Sequence, residues 1–109
     1  MKFSDLILIE SEDELNAIFE KDPELLLFVE NLIRVRQFSE SFLIQHVSHY
    51  HSRVCLNFQK NLTPEFCFKY LYDSKTDTKT DDWICFNDIA WYFREKLSID
   101  ELEVIFQKF

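Results

Sequence analysis

The chain has 109 residues, enough for one hydrophobic core and too few for two. Its 47% hydrophobic content, with twelve Phe, four Tyr and two Trp, excludes general disorder. The formal charge of −8 opposes direct phosphate binding. Glycine is absent, where average usage of about 7% supplies roughly eight in a chain this long. That absence excludes Walker loops, dinucleotide fingerprints, nucleophile elbows and GXXG clamps, all of which need glycine for close backbone approach or positive φ.

Residues 1–109 are therefore expected to form a single domain. Only Leu6, Ile7, Leu8 and Ile9 run as consecutive apolar residues near the N-terminus before acids resume. Neither a signal peptide nor a membrane span is expected, and the protein reads as cytoplasmic. Asp5 to Ile9 suits a short helix capped by Ser4 slightly better than a strand. Ser11 starts a clear helix, with Glu14 completing a capping box and Glu12 and Asp13 at the positive end of the dipole. Leu15, Ile18 and Phe19 form its apolar stripe. Asp22-Pro23-Glu24 opens a second helix that runs without a breaker to Phe38, apolar almost all round and expected to be central.

Ser39-Glu40-Ser41 marks a break or a new cap. The stretch 42–50 aligns Leu43, Val47 and Tyr50 as a helix, or Phe42, Ile44, His46 and Tyr50 as a strand; its length favours helix. After Arg53 the pattern turns to period 2. Val54, Leu56 and Phe58 mark a strand near 54–60, and Phe66, Phe68, Tyr70 and Tyr72 a second near 66–72. The competing signal is Thr63-Pro64-Glu65, which can cap a helix. Residues 73–82 (DSKTDTKTDD) form a polar loop, and 83–86 a third strand antiparallel to the second. Asn87 or Asp88 then caps a helix holding Ile89, Trp91, Tyr92 and Phe93. Ser98 to Glu101 is a capping box for a last helix with Leu102, Ile105 and Phe106 on one side. The expected fold class is α+β: N-terminal helices, a small antiparallel sheet and C-terminal helices, with no internal repeat.

Chemistry-bearing groups are sparse. His46, His49 and His51 resemble part of a metal site, but no paired ligands complete the set, so no metal and no cofactor is expected. Cys55, Cys67 and Cys85 lie beside hydrophobic residues on expected strands and read as reduced, buried, inert thiols. The twenty acids mostly occupy caps and loops, where capping accounts for them. The aromatic strand lacks the basic groove of a nucleic-acid platform and reads as packing.

The acids themselves are unevenly placed. Residues 1–30 hold nine against Lys2 and Lys21, whereas 31–60 are mildly basic. Two clusters are candidates for partner binding: Glu12, Asp13, Glu14, Glu20 and Asp22, and the loop acids Asp73, Asp77, Asp81 and Asp82 with Tyr72 and Trp83 as hydrophobic anchors. Such clusters steer association with basic surfaces. In size and charge the chain resembles the small acidic inhibitors of bacteria and phages, without a shared motif. That resemblance implies a non-enzymatic immunity protein that occludes a basic, nuclease-type toxin domain. An anti-CRISPR or DNA-mimic protein is the alternative. An oligomeric scaffold subunit and a metal-dependent enzyme built on His46, His49 or His51 are the readings from other classes. The expected partner is a basic protein, with no direct nucleic acid or membrane contact; a homo-oligomer is possible.

Overall fold

The structure, a computed structural model, describes residues 1–72 and 84–109. Its elements are α1 (Phe3–Ile7), α2 (Glu12–Lys21), a 3-10 helix (Pro23–Phe28) running into α3 (Val29–Val35), and α4 (Glu40–Gln45). A 3-10 turn (Val47–His49) and α5 (Ser52–Phe58) follow. Then come α6 (Pro64–Phe66) continued as a π-helix (Cys67–Leu71), α7 (Phe86–Tyr92) and α8 (Ile99–Phe106). The α+β expectation is overturned. Among the described residues there is no sheet, only an isolated bridge between Tyr72 and Ile84, and that bridge is parallel.

Each expected strand fails for a local reason. Residues 54–60 are α5 and its exit. Seven residues are too few to separate period 2 from period 3.6, and the side chains that become buried, Cys55, Leu56 and Gln59, are helically spaced. At 66–72 the helix-start signal wins: Thr63 Oγ1 accepts the Phe66 N–H at 3.2 Å, and Pro64 occupies the first helical position. The ladder then slips to π spacing, with the Tyr72 N–H on the Cys67 carbonyl at 2.8 Å. Of 83–86, Trp83 lies outside the described residues, Ile84 makes the bridge, and Phe86 begins α7.

Several caps form as expected. Ser11 accepts from Glu14 N–H, although the Glu14 carboxylate does not complete the expected box; Ser39 accepts from Phe42 N–H, and Ser98 and Glu101 form a complete capping box. Others differ. In α1 the Asp5 carboxylate accepts the Lys2 N–H (2.8 Å), so Ser4 is not the cap. In α7 the cap position is Cys85, whose N–H donates to Asp88 at 2.9 Å. The segment from Pro23 is helical but splits into 3-10 and α parts and ends at Val35, with Leu27 84% exposed.

No described residue has positive φ, so no helix ends through a left-handed cap. Side chains take over that work. The Arg36 guanidinium donates to the Ile9 and Glu10 carbonyls after α1. Gln37 donates to Phe58 O at 2.8 Å, at the end of α5. Gln59, 2% exposed, donates to Ile33 O (2.9 Å) and Arg36 O (2.8 Å) at the end of α3 and accepts from Phe38 N–H (2.9 Å).

Helix starts are joined in series. Glu12 of α2 accepts the Ser39 N–H before α4, and Glu40 of α4 accepts the Thr63 N–H before α6. Glu30 of α3 does the same for the His51 N–H before α5. These partners lie 27, 23 and 21 residues apart, a recurrence absent from the hydrophobic pattern. Helix α3 packs on the 3-10 helix and on α5, α5 on the π-helix, and α6 on α8. The core, from Leu6 and Leu15 through Leu32, Leu43 and Leu71 to Ile89 and Leu102, lies inside this stack.

Candidate functional site

The first acidic cluster sits on α2. Leu15 and Phe19 fix the inner side of the helix, and Asn16 turns toward α4, donating to Gln45 Oε1 at 3.1 Å. Helical spacing then places Asp13, Glu14 and Glu20 on the outer side, where all three are exposed, with exposed Glu10, Asp22 and Glu24 beyond the helix ends. The ion pairs among the described residues are Arg34–Glu30, His51–Glu30 and Arg53–Asp88, and none reaches this cluster. Glu12 departs from its neighbours. It is half-buried and its carboxylate is occupied by Ser39. Two large apolar side chains flank α2 along the chain: Leu8, 79% exposed, and Leu27, 84% exposed.

Of the second cluster, Asp73, Asp77, Asp81, Asp82 and Trp83 lie outside the described residues. Tyr72 is half-buried and packs edge-on against Phe68 and Phe106, so its ring is committed to the C-terminal aromatic cluster.

The histidines are dispersed. His46 is 5% exposed, between the rings of Phe19 and Phe42, with its Nε2 at 2.7 Å from Asn16 Oδ1. Burial, helped by His49, holds its pKa below the usual imidazole value. His49 is exposed, and exposed His51 contacts Glu30 at 2.7 Å. Among the described residues no group of three or more His, Cys, Asp or Glu is placed to hold a metal ion. Cys55 and Cys67 are buried as expected, but Cys85 is exposed at the cap of α7, with its thiol donating to Asp88 at 3.3 Å. Burial pushes the Asp88 carboxyl up. The Cys85 N–H and thiol, with Arg53, outweigh that and leave its pKa below the ordinary value.

Sequence reasoning missed a groove between α5 and α7, of about 750 Å³. Arg53, Lys60, Arg94 and Lys96 line it with Asp88 and Glu95. Trp91, assigned from sequence to the helix without an exposed role, stands 68% exposed at its edge, with the Arg94 guanidinium 4.1 Å from the ring centre. The Tyr92 hydroxyl ties the floor together, donating to Gln59 O at 2.6 Å and accepting Leu62 N–H at 3.3 Å. The spacing of Trp91 and Arg94, one helical turn apart, was the available signal.

Among the described residues no helix is long and apolar enough to cross a membrane. No protein-family model, curated protein or solved structure matches the chain.

Proposed function

We propose that the protein is a non-enzymatic inhibitor that lays the outer face of α2 on a basic, nuclease-type toxin domain and occludes its active site, as a cytoplasmic immunity protein does. The observation that carries this reading is the set of exposed acids Asp13, Glu14 and Glu20 on one helix, none of them in an ion pair within the described residues. Arg36 clamps the turn that precedes α2, and Glu12 and Asn16 fix the helix to α4. Acids held on a fixed frame lose little entropy on docking and attract the lysines and arginines that grip phosphate. Exposed Leu8 and Leu27 offer apolar anchors beside that charge.

The test is association with a purified basic, nuclease-type toxin domain, followed by stopped flow. The triple variant Asp13→Lys, Glu14→Lys, Glu20→Lys should slow association by about tenfold or more at low salt, and raising salt should slow the wild type. An association rate untouched by both changes rejects the reading. Glu12 is left intact in that test because it supports the fold.

A further inference from the structure

We infer that the groove between α5 and α7 is a second docking site, one that takes an acidic segment of a partner protein with an apolar side chain seated on Trp91. Its lining reverses the composition of the chain. Twenty acids and twelve bases make up the whole sequence, yet among the described residues four bases and two acids line this groove. Asp88 is already engaged, by Arg53 and by the Cys85 N–H. Lys60, Arg94 and Lys96 are exposed, and no described carboxylate lies within ion-pair distance of them.

Trp91 is the second element. A tryptophan 68% exposed beside an arginine stacked on its ring combines the two residue types most enriched at binding hot spots. Trp91, Lys60, Arg94 and Lys96 of its lining are all exposed, so the groove faces solvent, which suits a segment of a partner protein better than an enclosed small molecule. Charge decides between peptide and nucleic acid. A phosphate chain that outruns the groove meets a surface of net −8, whereas a peptide with a few carboxylates ends within it. This site does not depend on the α2 reading, since none of its residues lies on α2: they belong to α5, α7 and the segments that follow those two helices.

The probe is a peptide of glutamates around one phenylalanine, titrated into the isotope-labelled protein and followed by amide and indole resonances. Binding should saturate, with shifts centred on Trp91, Arg94 and Lys60. The double variant Lys60→Glu, Lys96→Glu should weaken it about tenfold or more, and Trp91→Ala should do likewise. All three positions are exposed, so the unfolding midpoint should stay unchanged and report that the fold is kept. Three results overturn the proposal: equal binding of the glutamine counterpart, tighter binding of oligothymidylate, or shifts that avoid the groove.

Discussion

The carboxylate of Glu12 accepts both the backbone N–H and the hydroxyl of Ser39, at 2.8 and 2.5 Å, across 27 residues of sequence. One acid thus sits at the positive end of its own helix and satisfies the cap residue of another. Glu40 repeats the arrangement on Thr63, at 2.7 Å to its N–H, and Glu30 on His51 at 2.9 Å. Glu12→Ala should cost about 1–2 kcal/mol in urea unfolding, the range for a lost cap and charge-assisted hydrogen bonds. The neighbouring Glu14→Ala, on an exposed residue, should stay within about 0.5 kcal/mol. Equal costs for the two would remove Glu12 from this role.

Gln59 carries more of the fold than any other buried polar side chain here. Its amide closes the end of α3 through Ile33 and Arg36 and receives the Phe38 N–H; the bonds to Ile33 and Phe38 are buried and the one to Arg36 is half-buried. Gln59→Leu keeps the volume and leaves those backbone groups without partners. At about 1–3 kcal/mol for each of the two buried groups stranded, the variant should lose at least about 2 kcal/mol, read as a lower urea midpoint with an unchanged slope.

The serine signals for helix starts at Ser11, Ser39 and Ser98 survived into the structure, those at Ser4, Asp22 and Asn87 or Asp88 did not supply the expected cap, and the strand signals failed. Ser11, Ser39 and Ser98 were legible because a cap is a contact of three residues. Residues 54–60 and 66–72 were misread because short helices in a glycine-free, aromatic-rich chain show alternation by accident. The decisive Thr63-Pro64 start was visible but was outweighed by the aromatic pattern that follows it. The side chains that end the helices, Arg36, Gln37 and Gln59, act over more than twenty residues and leave no local trace. For the candidate site, the exposure of Asp13, Glu14 and Glu20 follows from helical periodicity. The internal engagement of Glu12 and the basic lining beside Trp91 required tertiary structure.

His46 should make stability fall on mild acidification. Asn16 donates its amide to Gln45, so its oxygen accepts from His46, which fixes the neutral ring with the proton on Nε2. Burial, and then the charge of His49, depress the pKa in the fold, while the unfolded chain keeps a value near 6.5. Between those values the unfolded state binds more protons. The contribution is therefore fully present above about pH 6.5 and is lost as pH falls through the folded value. In urea melts from neutral to mildly acidic pH, His46→Gln, which can still donate to Asn16 but does not titrate, should flatten the profile. An unchanged slope in that variant assigns the acid sensitivity to other groups.

Thiol labelling separates the three cysteines by position. Cys85, exposed at the cap of α7, should react with a disulfide reagent in the native protein, while Cys55 and Cys67 are fully buried. Burial pushes the Cys55 thiol up to about 12 and raises Cys67 as well, so neither supplies thiolate at neutral pH even when briefly reached. One thiol should therefore titrate in buffer and all three in denaturant, and Cys85→Ser should abolish the native reaction. The slow labelling of the other two should track unfolding of the core. Cys55 faces that core from α5 and Cys67 from the π-helix, two elements packed on each other. If Cys67 reacts well before Cys55, the π-helical segment opens on its own and α5 does not open with it.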